Sequence, residues 1–66
     1  MRYCYNKLWK LLIDKNMKKK DLEIAADIAS STMAKMSKEL PVSLDVIGRI
    51  CKSLNVKIED VIEIIY

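Results

Sequence analysis

The chain has no histidine and no phenylalanine, and only one glycine, one proline and two cysteines among 66 residues. Without histidine it lacks the side chain best suited to general-base work near neutral pH, and a single glycine cannot build a phosphate-cradling loop. No nucleophile has a positioned base. The adjacent carboxylates Glu59 and Asp60 fall in the first turn of a short expected helix, where acids complement the helix dipole. No enzyme is expected. Cys4 and Cys51 are able to pair in principle, but one sits in an aromatic run and the other in an apolar stripe, so reduced structural thiols are the expectation. With no CxxC pair, neither a metal nor another cofactor is expected. No apolar run approaches the roughly 18 residues of a membrane span, and the N-terminus lacks a signal-peptide layout. A cytoplasmic protein without membrane contact is expected.

What is present is an amphipathic composition, 52% hydrophobic and 32% charged, which describes an ordered protein rather than a solvated tail. Residues 1–66 have room for one domain. A domain this small buries only about 60% of its unfolded surface, so its core must be compact and nearly all helical, or completed by a partner. The formal charge of +3 conceals an asymmetry. Residues 1–20 carry seven basic groups against Asp14, a net +6, while residues 21–66 carry five against eight acids, a net −3. The densest basic run, Lys18-Lys19-Lys20, fits either a solvated loop or a segment that contacts phosphate.

Residues 21–38, DLEIAADIASSTMAKMSK, read as two short helices broken once by a tight turn. Leu22, Ala25 and Ala26 share one face, Asp27-Ile28-Ala29 interrupts the pattern, and Ser30, Ser31 and Thr32 open a second helix that turns Met33 and Met36 inward. That is a helix-turn-helix layout, whose second helix would present Ser30, Ser31, Thr32 and Lys35 to a DNA major groove. The lysine run immediately precedes it, where a phosphate backbone would pass.

Leu8, Trp9, Leu11, Leu12 and Ile13 give an earlier helix over residues 7–15, with Asn6 able to cap its start and Asn16 to end it; Trp9 is read as a core anchor. The proline in Leu40-Pro41-Val42 breaks the pattern after the motif. Ser43 then caps a further helix, Asp45 complements its dipole, and Ile47, Ile50, Cys51 and Leu54 follow the i, i+3, i+4, i+7 rule up to Asn55. A last helix over 58–62 is expected to add Ile58, Val61 and Ile62 to the core. The ends of the chain, residues 2–5 and 63–66, are β-branched and aromatic, and are expected to pair as two strands. Ile64, Ile65 and Tyr66 would otherwise leave apolar groups at a frayed end, so they are assigned to a homodimer interface.

With KLWKLLIDKNMKKKDL, IASSTMAKMSK and VSLDVIGRICKSLNVKIEDVIEI in place, nearly the whole chain resembles the Cro/C1 (Xre-type) family of small helix-turn-helix transcriptional regulators. The resemblance implies an all-α, five-helix, lambda-repressor-like domain whose third helix reads the major groove, with a small terminal sheet added here. It implies phosphate contacts at the starts of the second and fourth helices, which places Lys19, Lys38 and Ser43 near the backbone beside Lys18 and Lys20. Several positions depart from the family pattern. Asp27 and Glu39 stand where glycine is usual, and Lys18 and Ala29 where Ser or Thr caps are usual. Glu23 replaces a small buried residue and Ile24 a polar one, which predicts a rotated or repacked second helix. The expected function is a sequence-specific transcriptional regulator, a repressor, that binds double-stranded DNA as a homodimer. The alternative is a protein-interaction module on the same fold, antirepressor or antitoxin-like, favoured by Glu23, Ile24 and Glu39 near the DNA face.

Overall fold

Apolar side chains spaced three and four apart build four α-helices, and a pair of strands ties the two ends of the chain together. The computed structural model describes residues Met1–Tyr66. The order is β1 (Arg2–Cys4), α1 (Asn6–Asp14), α2 (Lys19–Ala26), α3 (Ser30–Ser37), α4 (Leu44–Leu54), a 3₁₀ turn (Ile58–Asp60) and β2 (Glu63–Ile65). Each α-helix supplies the core with a fully buried side chain, Leu8 from α1, Leu22 from α2, Met36 from α3 and Ile50 from α4, joined by Tyr5 ahead of α1 and Val61 beyond the 3₁₀ turn. α2 packs on both α3 and α4, which fixes the helix-turn-helix against the longest helix.

The expected fifth α-helix is a single 3₁₀ turn. Asp60 N–H donates to the Lys57 carbonyl and Val61 N–H to that of Ile58, and the Asp60 carboxylate accepts from the Lys57 N–H at 3.1 Å. So short a turn buries little: Val61 is inside, but Ile58 is 49% exposed and does not join the core. The chain leaves helical geometry here because β2 is drawn into an antiparallel pair with β1, in the register Arg2 with Ile65, Tyr3 with Ile64 and Cys4 with Glu63. The pairing of the termini is as expected from their composition.

Three further expectations are corrected. Asn6 is already the first residue of α1, because Trp9 N–H donates to the Tyr5 carbonyl; no side chain caps that helix. Ile13 is 72% exposed and Ala25 is exposed, so the apolar faces of α1 and α2 are narrower than expected. Nor is α2 rotated: Leu22 and Ala26 point inward, and Glu23 is only half-buried.

Helix ends are made without glycine. Asn16, Asp27, Glu39 and Asn55, one after each α-helix, have φ between 55° and 60°. Asn and Asp tolerate this left-handed conformation better than most residues, whereas Glu does not. The sole glycine, Gly48, lies inside α4. Cys4 and Cys51 are both free thiols, and burial holds the Cys51 thiol above its ordinary pKa, with the Asp60 charge adding to the effect.

Candidate nucleic-acid interface

α3 has two unlike sides. Met33 and Met36 face the core, and about 100° of rotation per residue then turns Ser31, Ala34 and Lys35 toward solvent. Ser30 is also exposed, at the helix start, while Thr32 lies half-buried on the shoulder. The four residues expected to read bases are therefore grouped, with Thr32 less open than the others. Ala34, which offers no side-chain hydrogen bond, is also exposed. Its methyl group belongs to the same outward strip, and its i+3 spacing from Ser31 is the signal.

No side chain caps α3: Ala29 precedes it in extended conformation. Thr32 N–H donates to the Ala29 carbonyl, and the Ser30 and Ser31 N–H groups are left for solvent or for an oxygen brought by a ligand. The start of α4 differs, because Ser43 Oγ accepts from the Val46 N–H at 3.2 Å. The Ser43 hydroxyl hydrogen remains free to donate.

The start of α2 lacks a Ser or Thr cap, yet the Asp21 carboxylate accepts from the Lys18 N–H at 2.8 Å, which supplies half of a capping box. Lys18, Lys19 and Lys20 are all exposed, but neighbouring helical residues cannot face one way. Lys19 turns inward along the surface. Its Nζ lies 4.3 Å from the centroid of the Trp9 ring and donates to Ser37 Oγ at 2.9 Å. Trp9 is thus half-buried, a packing residue on its core side and a cation platform on the other. Lys38, just past α3, is exposed.

Two arginines hold this region in shape, and neither was singled out in the sequence. Arg49 on α4 donates to the Asp27 carbonyl at 2.9 Å and pairs with Asp45 at 2.8 Å, which fastens the turn between α2 and α3 to α4. Arg2 in β1 pairs with Glu39, beyond the end of α3. Both contacts join residues far apart in sequence, so no local pattern announces them. Tyr5 adds a third tie, its hydroxyl donating to the Leu40 carbonyl at 2.7 Å; burial, with Tyr3 nearby, raises the Tyr5 pKa above its ordinary value.

On the same molecule Ile24 is 74% and Leu44 76% exposed, large apolar groups in α2 and at the start of α4. Ile64 and Tyr66 are exposed at the C-terminal strand, and Ile65 is half-buried. No group of three or more Cys, Asp or Glu side chains is arranged to hold a metal ion. No helix is long and apolar enough to cross a membrane.

Residues 7–65 match the family model described as the Cro/C1-type HTH DNA-binding domain. The solved structure of the transcriptional regulator VanUg, in its crystal form II, is similar to this chain with a TM-score of 0.90 and 52% sequence identity, covering 94% of this chain and 83% of that one. No functionally curated protein matches the chain.

Proposed function

The chain belongs to the Cro/C1-type helix-turn-helix DNA-binding family, and from that premise we propose that it is a sequence-specific transcriptional repressor acting as a homodimer in the cytoplasm. The observation that carries this reading is the division of α3, with Met33 and Met36 buried and Ser31, Ala34 and Lys35 exposed in one strip. In this reading α3 lies in the major groove. Ser30, Ser31 and Thr32 donate to or accept from base edges, Lys35 favours guanine, and Ala34 packs against a thymine methyl. Lys18, Lys19, Lys20, Lys38 and Ser43 face the phosphates on either side.

One recognition helix contacts few bases, and a two-fold dimer doubles them at half-sites about 34–36 Å apart. Ile64, Ile65 and Tyr66 supply the interface, since β2 has a second edge unpaired within the chain and carries apolar groups outward. Repression follows from occupying a site that polymerase needs. The similarity to a transcriptional regulator at 52% identity supports the regulatory role.

Titration of isotope-labelled protein with a DNA duplex, followed by amide resonances, tests the placement. The expected shifts concentrate on residues 30–35 and on the starts of α2 and α4. A second reading, a protein-interaction module that has lost DNA contact, is favoured by the exposure of Ile24 and Leu44. It predicts no shift on adding DNA.

A further inference from the structure

We propose that Trp9 and Ser37 are positioning residues that hold the Lys19 ammonium in place for a DNA phosphate, an inference that rests on the reading of α3 as the recognition helix. Three helices meet at this one cation. Trp9 comes from α1, Lys19 from the first turn of α2 and Ser37 from the last position of α3. Nζ lies 4.3 Å from the Trp9 ring centroid and 2.9 Å from Ser37 Oγ.

The ammonium has three N–H donors, of which Ser37 takes one, and Lys19 is otherwise exposed. At least one donor is therefore free for an incoming oxygen. The platform beneath it is itself fixed: the Trp9 ring packs at 46° to Tyr5, with centroids 6.2 Å apart, and Tyr5 is buried with its hydroxyl on the Leu40 carbonyl. A free lysine gives up rotamer freedom when it binds, whereas one already held gives up less. Lys18 and Lys20, in the same run, have no such side-chain partner. The arrangement turns one lysine of three into a preset contact and links its position to the end of α3.

The test measures binding of the full chain to a mixed-sequence DNA duplex of about two helical turns across a range of salt concentrations, by anisotropy of a dye on the DNA. Lys19→Met lowers the slope of log affinity against log salt by about one. Ser37→Ala and Trp9→Leu keep the wild-type slope but weaken binding about two- to fivefold, the scale of an exposed cation–π contact. In the Lys19→Met background neither substitution weakens binding further, a non-additivity that a merely structural role does not produce. Trp9 is the sole tryptophan, so its emission changes as DNA is added to the wild type and not to Lys19→Met. Ser37 is exposed, so Ser37→Ala decides the matter even where Trp9→Leu fails to fold.

Wild-type affinity in Ser37→Ala, or losses that are the same in both backgrounds, overturns the proposal. An unchanged salt slope in Lys19→Met also overturns it, while leaving the reading of α3 intact. Absence of duplex binding by the wild type overturns both.

Discussion

Arg2 and Glu39, 37 residues apart in sequence, are joined by two parallel hydrogen bonds, Nε to Oε1 at 3.2 Å and Nη2 to Oε2 at 2.9 Å. Glu39 is the left-handed residue beyond α3, at φ 60°, where glycine would be unstrained. The ion pair offsets part of that strain and fastens the end of α3 to the terminal sheet. Both groups are exposed, so the pair is modest in strength and screened by salt.

The hydrogen bonds from Arg2 are the main reason the Glu39 carboxylate titrates below its ordinary range; desolvation opposes them, and the Arg2 charge adds a smaller effect in their direction. A carboxylate whose folded pKa is depressed contributes stability above its unfolded pKa and loses that contribution as pH falls through the folded one. The advantage of the wild type over Glu39→Gln is therefore expected to be full near neutral pH and to shrink on acidification through the carboxylate range. Urea midpoints across pH check this, and a difference that stays constant with pH contradicts it.

Gly48 lies in mid-helix on the exposed side of α4, and a Cβ built there meets nothing within 4 Å. Gly48→Ala is expected to stabilise the fold by about 0.5–1 kcal/mol, because glycine loses more backbone freedom than alanine on entering a helix. Thermal or urea unfolding measures it. A loss of stability would mean that this face of α4 is packed against something in solution.

Base and phosphate contacts separate by their response to sequence and salt. Ser31→Ala, Thr32→Ala and Lys35→Ala are each expected to cost about 1–3 kcal/mol on the preferred site and much less on mixed-sequence DNA. Replacing Lys18, Lys20 or Lys38 weakens both complexes alike and lowers the salt slope by about one each. Met36→Ala instead lowers folding stability, by about 2–5 kcal/mol for a well-packed side chain. Equal losses on both kinds of DNA for Lys35→Ala would reassign that residue to phosphate.

Much of this architecture was legible in the sequence because it is local. Ser43, Ile47, Ile50 and Leu54 mark α4 by cap and period, and Asn16 and Asn55 mark helix ends by their tolerance of positive φ. Met33 and Met36 identify the buried side of α3 in the same way. What escaped depends on contacts distant in sequence or on competition between ends. Nothing near Arg49 in the sequence signals that it will reach the Asp27 carbonyl, and nothing beside Trp9 signals Lys19. The 58–62 segment has a helical apolar pattern, but pairing of the following β-branched residues with β1 halts it after one turn. Ala34 carries no hydrogen-bonding group, so only its spacing from Ser31 places it on the outward strip.

The proposed dimerisation through β2 would make stability depend on protein concentration. Ile64 is 45% exposed and opposite Tyr3 in the sheet, so Ile64→Lys leaves the intrachain pairing possible while placing a charge in the proposed interface. Sedimentation is expected to show dimers for the wild type at high micromolar concentration and monomers for Ile64→Lys. A wild-type monomer under those conditions, with or without DNA, contradicts the strand-mediated interface.

Whether α3 reads DNA sequence is decided by selection from random duplexes with the purified full chain. Enrichment of a two-fold related motif is expected, with half-sites about one helical turn apart and the preference at individual positions relaxed by Ser31→Ala or Lys35→Ala. Recovery of duplexes with no common motif, or a motif that those substitutions leave unchanged, would contradict it.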